Sequence, residues 1–100
     1  MVKHGLVVRM HAKPGKEAEV AEFLASSQAR AQAENFMPVW LAFRGQHGAF
    51  YIVDAFDEET GRELHLSGSI AHTLQRRAPD LFDEQVHIEK VDVIASKLPG

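Results

Sequence analysis

Strand-like and helix-like periodicities alternate along this chain in the order βαββαβ, which predicts one α+β domain with an antiparallel sheet and helices on one face. Three observations carry that expectation. Residues near the N-terminus alternate with a period of two, an alanine- and glutamate-rich run then shows helical spacing, and two apolar runs flank a glycine-bounded turn.

Leu6, Val8 and Met10 alternate with Val7, Arg9 and His11 as in a strand with unlike faces, and Pro14-Gly15 ends it. From Lys16 to about Ala33 good helix formers carry an apolar stripe through Val20, Phe23, Leu24 and Ala31, which predicts a helix. Met37-Pro38 resets the backbone before two strands, Val39 to Arg44 and Ala49 to Phe56, joined by Gly45-Gln46-His47-Gly48. With those four residues as the loop, Arg44 pairs with Ala49 and Trp40 with Val53. One face then holds Val39, Leu41, Phe43, Phe50, Ile52, Asp54 and Phe56, and the other holds Trp40, Ala42, Arg44, Tyr51 and Val53.

A second helical region runs through Glu63 and Leu64 to about Arg77, with Ile70 and Leu74 at helical spacing and Gly68 as an interruption. Pro79 opens a short turn or helix bearing Leu81 and Phe82, and a last strand runs from Val86 to about Ala95. In this order, the ferredoxin-like pattern, strands joined through helices run parallel while the central hairpin is antiparallel. One layer of helices covers only one face of such a sheet, so a second copy of the chain is expected over the other.

One hundred residues, 45% of them hydrophobic, suffice for a single domain spanning residues 1–100. The net charge of −3, with acidic and basic residues interspersed, offers no footprint for nucleic acid or an anionic membrane surface. No apolar run approaches the roughly 20 residues that span a bilayer, and the N-terminus has no apolar core of the signal-peptide kind, so a cytoplasmic protein is expected. The absence of cysteine excludes disulfides, thiol nucleophiles, iron–sulfur clusters and thiolate zinc sites. There is no P-loop, dinucleotide fingerprint or nucleophile elbow.

Six histidines invite a test for metal ligation. No pair has the spacing of a helical zinc site, His4 and His11 fall on opposite strand faces, and His65 and His72 share a face only if a helix runs unbroken through Gly68, so no metal is expected. His65 is the leading candidate for proton transfer, because an imidazole with an ordinary pKa of about 6.5 can exchange protons near neutrality. It reads equally as a helix-surface group bonding to backbone near Ser67 and Gly68. Asp54, in phase with Phe50, Ile52 and Phe56, points to an apolar face, either as a general base or as a buried partner for Arg9, Arg62 or backbone N–H groups. Trp40, Tyr51 and Arg44, on one face in the register above, could orient a flat aromatic substrate or pack in an interface between copies.

The Asp54-Ala55-Phe56 strand end, Gly61-Arg62, the run His65-Leu66-Ser67-Gly68 and the closing Ser96-Lys97-Leu98-Pro99, read with Trp40, resemble the antibiotic biosynthesis monooxygenase family. The resemblance spans nearly the whole chain. It implies a dimeric α+β barrel and a cofactor-independent monooxygenase acting on a small aromatic, phenolic or quinol substrate with dioxygen. In that reading His65 or Asp54 helps remove a phenolic proton, Trp40 lines the pocket, and an arginine steadies developing negative charge. The haem-degrading branch of the same fold is a poorer match: the first strand offers Val7, Val8 and Arg9 where that branch has an asparagine, and Gln75 falls where its iron-ligating histidine would be. A non-oxidative isomerase or cyclase, and a non-catalytic small-molecule-binding dimer, are the alternatives on the same barrel.

Overall fold

The computed structural model describes residues 1–99. Four strands, β1 (His4–His11), β2 (Val39–Arg44), β3 (Ala49–Phe56) and β4 (His87–Asp92), form one sheet in the order β2-β3-β1-β4, and every neighbouring pair is antiparallel. Four helices, α1 (Glu17–Ser26), α2 (Gln28–Ala33), α3 (Glu59–Leu66) and α4 (Ser69–Leu81), complete the α+β, ferredoxin-like arrangement. Among the described residues no helix is long and apolar enough to cross a membrane.

Each expected helix is divided, for local reasons. At Ser27 the backbone N–H is shared between the carbonyls of Phe23 and Leu24, and the hydroxyl also bonds to Phe23 O at 3.0 Å. Such competition from a serine side chain bends the chain between α1 and α2. The second helical run begins earlier than expected and breaks at Ser67-Gly68, as the glycine suggested, with the Ser67 hydroxyl bonding back to Glu63 O at 3.1 Å. Pro79 does not open a new turn. It lies inside the last turn of α4, where the helix continues until Leu81 is fully buried and Leu81 O accepts the backbone N–H of Lys13 at 2.8 Å. Tertiary burial and that bond to the segment after β1 outweigh one missing helical donor.

The hairpin register is shifted by one residue from the expected one. Arg44 pairs with Phe50, Phe43 with Tyr51, Trp40 with Asp54 and Val39 with Ala55. Five residues, Gly45 to Ala49, lie between the paired Arg44 and Phe50, and Gly45 N–H bonds to Ala49 O at 2.8 Å across them. His47 and Gly48 both adopt positive φ, 56° and 81°, to make this turn. Since side chains alternate with period two, the slip moves Trp40, Ala42 and Arg44 to the face of Phe50, Ile52, Asp54 and Phe56, and leaves Tyr51 on the opposite face.

The helix-covered face builds the core. Val8, Met10, Phe50 and Ile52 pack with Val20, Phe23, Leu24, Leu74 and Leu81 in one cluster, and Leu6 and Phe56 pack with Ala31, Met37 and Ile70 in another. Trp40 touches both clusters. On the opposite face Leu41 and Phe43 remain about half exposed, at 49% and 47%, beside the partly buried Val7 and Val53.

Candidate functional site

Three ionisable side chains from separate elements meet beneath the helices. Asp54 is the third residue from the end of β3 and points inward, fully buried. One turn of α3 beyond Gly61-Arg62 lies His65, also buried, and Glu34 follows the last residue of α2. His65 Nδ1 lies 2.8 Å from Glu34 Oε1, within a hydrogen bond, and its Nε2 lies 3.2 Å from Asp54 Oδ2. The second contact is close enough for an ion pair but off the N–H direction, so neither Asp54 oxygen accepts a directed hydrogen bond from the described residues.

Gly61 makes the approach possible. A Cβ there would sit 2.9 Å from Phe36 O and 3.5 Å from the Phe56 ring, so only glycine lets α3 press against the segment that carries Glu34. Phe56 also stacks obliquely on the His65 ring at 5.6 Å, walling the imidazole on another side. Burial lowers the His65 pKa, but the Asp54 and Glu34 carboxylates more than offset this and hold it above the ordinary 6.5. Burial raises the Asp54 pKa above its ordinary 3.8, against the pull of His65. The trio thus sets an imidazole between two carboxyl groups and carries one net negative charge when all three are ionised.

Trp40 stands directly opposite Asp54 on β2, and its indole N–H is buried without a partner among the described residues. It lines a cleft of about 300 Å³ together with Glu34, Met37, Pro38 and Ala31. His65, Asp54 and Trp40 therefore lie in one neighbourhood, with Glu34 between His65 and the cleft. Glu34 carries no sequence motif. It lies just past the end of α2, in extended backbone, where the sequence offers no signal for the direction of its side chain.

Tyr51 and Arg44 do not join this neighbourhood, and the trio of Trp40, Tyr51 and Arg44 does not share a face, because of the register shift. The Arg44 guanidinium lies over the Phe50 ring at 5.3 Å and donates to Glu17 O at 3.1 Å, tying β2 to the start of α1. Tyr51 lies on the uncovered face, paired with Arg9 and lining a shallow cavity with Arg9 and His87. Nor is Asp54 held by Arg9 or Arg62. The buried Arg62 instead donates through Nη1 to Gly5 O at 3.3 Å and Val91 O at 3.2 Å, joining β1 and β4.

Another cavity, of about 520 Å³, lies between α4 and β4, with apolar walls from Leu66, Leu74, Ala78, Phe82, Val86 and Ile88. It is larger than the cleft, but its acidic lining residues, Asp83 and Glu84, are exposed, and none of His65, Asp54 and Trp40 lines it. Among the described residues, His11, Asp83 and Glu84 form the one group with metal-ligand spacing. Both His11 nitrogens already have partners there, Asp83 Oδ1 at 2.7 Å and His47 O at 2.8 Å, which reads as an exposed ion pair closing the end of β1 onto the segment after α4.

This architecture recurs in solved structures. A protein of unknown function from Nitrosomonas europaea is 44% identical, with 100% of this chain and 97% of that one covered and a TM-score of 0.96. A candidate antibiotic biosynthesis monooxygenase from Caulobacter crescentus matches at TM-score 0.81 and 16% identity over 94% of this chain and 92% of that one. An antibiotic biosynthesis monooxygenase matches at TM-score 0.78 and 12% identity over 92% and 99%. The chain belongs to the family of the Nitrosomonas protein, with the antibiotic biosynthesis monooxygenase-like fold. No family model and no curated protein matches it. At these low identities the two monooxygenase neighbours share the fold with this chain.

Proposed function

We propose that this chain is a cofactor-independent monooxygenase that oxidises a small phenolic or quinol substrate in the cleft beside Trp40. The observation that carries the reading is the buried chain of Glu34, His65 and Asp54, which ends at Glu34 in the wall of a cleft that Trp40 also lines. Ionising a phenol makes it a better electron donor to dioxygen. For a hydroquinone the balanced outcome is one oxygen atom inserted into the ring, giving a hydroxyquinone, while the other leaves as water with two substrate hydrogens. The substrate supplies all the electrons, so the protein's task is to bind the ring, handle the proton and stabilise developing charge.

In this reading the Asp54–His65 unit governs removal of the phenolic proton and Trp40 covers the ring. Oxygen uptake with hydroquinone, naphthohydroquinone and anthrone tests it. The unaltered chain should consume dioxygen with at least one of them, and His65→Gln should lower kcat. Absence of uptake across the panel would overturn the reading.

The larger apolar cavity favours a second reading, a non-catalytic binder of small apolar molecules. Retained binding of the same compounds without oxygen uptake, abolished by Ala78→Phe in that cavity's wall, would support it over the first.

A homodimer belongs to the same proposal. A second copy packed sheet to sheet would cover Val7, Leu41, Phe43 and Val53, which one chain leaves partly or half exposed. Sedimentation should give twice the chain mass for the unaltered protein and the chain mass for Phe43→Glu. A monomeric unaltered chain would remove the dimer from the proposal.

A further inference from the structure

We infer that Glu34 is the group that meets the substrate and accepts its proton, and that His65 is a positioning residue acting through it. The inference rests on the monooxygenase reading and changes which atom does the chemistry. His65 presents no free nitrogen to a ligand: Nδ1 is bonded to Glu34 and Nε2 faces Asp54. With both ring nitrogens turned to carboxyl groups, the imidazole directs no lone pair at a ligand. Asp54 has no exposed side-chain surface and lines neither the cleft nor the larger cavity.

Glu34 differs on each count. It is the one titratable residue among those lining the cleft, its side chain keeps 12% exposure, and only its Oε1 is engaged by His65. Trp40 lies in the same wall with a buried donor that has no protein partner. A phenolic hydroxyl in the cleft can donate its proton to the Glu34 carboxylate while its ring lies along Trp40. In the transfer the substrate O–H bond breaks and a Glu34 O–H bond forms. The negative charge moves to the substrate oxygen, and the net charge of the site is unchanged. Asp54, on the far side of the imidazole, favours the protonated form of His65.

The experiment is oxygen uptake by the full chain with whichever of hydroquinone, naphthohydroquinone and anthrone is turned over, with the uncatalysed rate subtracted. Glu34→Gln should lower kcat about a hundredfold or more with KM changed less than about threefold. Glu34→Asp, which keeps a carboxylate on a shorter arm, should recover at least about tenfold of that loss. His65→Gln should keep part of the activity and lose the decline that the unaltered chain shows as pH rises through the His65 value above 6.5. Unfolding temperatures of the three variants separate a local effect from loss of the fold, and the rescue by aspartate does so independently. Glu34→Gln turning over like the unaltered chain, or Glu34→Asp as inactive as Glu34→Gln, would overturn the assignment while leaving the monooxygenase reading standing. An unaltered chain that consumes no dioxygen would overturn both.

Discussion

Replacing His65 by leucine should lower the unfolding free energy by about 3–5 kcal/mol, the usual cost of removing one partner of a buried ion pair. The size follows from what remains. Asp54 is fully enclosed and accepts no directed hydrogen bond from the described residues, and Glu34 is nearly enclosed, so two carboxylates would be left facing an apolar gap. Urea unfolding of the single variant and of the double variant Asp54→Leu, His65→Leu checks this. The double variant should be more stable than the single one, because it removes the stranded charge as well as its partner.

The same trio sets a pH dependence with a definite sign. His65 has a folded pKa above its ordinary 6.5, so the native state retains a proton that the unfolded chain has released. The stability this contributes is fully present below 6.5 and is lost as pH rises through the folded value. Asp54 is also raised, from an ordinary 3.8, and acts in the same sense at lower pH. Unfolding midpoints should therefore fall on the alkaline side of 6.5. His11 is raised too, foremost by the hydrogen bond its ring donates to Asp83, but lies in solvent, so the slope that disappears in the His65 variant is the part owed to the buried trio. A slope unchanged by the substitution would contradict the assignment.

Arg62→Met should cost about 2–3 kcal/mol, since hydrogen bonds from a charged donor contribute about 1.5–3 kcal/mol each and share one nitrogen here. Methionine replaces the stem and its packing but not the donor to Gly5 O and Val91 O. Because those carbonyls belong to neighbouring strands, the loss should be local as well as global. Amide hydrogen exchange should quicken at the end of β4 and at Val93, whose N–H bonds to Lys3 O at 2.9 Å, before it does so in β3. Unchanged exchange at the end of β4 would show that Arg62 does not hold the strand.

Most of the architecture was legible because it follows from short-range patterns. The alternation through Leu6, Val8 and Met10, the stripe through Val20, Phe23 and Leu24, and the break at Gly68 each report on neighbours a few residues away. The hairpin register was not legible, because a loop of four residues and one of five are both compatible with the Gly45 to Gly48 turn signal, and they differ in whether Ala49 or Phe50 stands opposite Arg44. The inward direction of Asp54 survived the error because it depends on the phase of β3 alone. The grouping of Trp40, Tyr51 and Arg44 depended on the pairing, and it did not survive. Glu34 lies between elements, where no periodicity assigns a direction, and its partnership with His65 exists only once Gly61 has let α3 close on residue 36.

The five-residue connection between β2 and β3 has a meaning for how such a chain can change over generations. Removing one residue from it, at no cost to the core residues of β3, would turn over every side chain of β2 at once. Trp40 would leave the cleft for the outer face, while Leu41 and Phe43 would enter the interior. A single codon at the tip of a hairpin thus separates a chain whose indole faces the helix-covered cleft from one whose indole faces outward, with the same backbone around both.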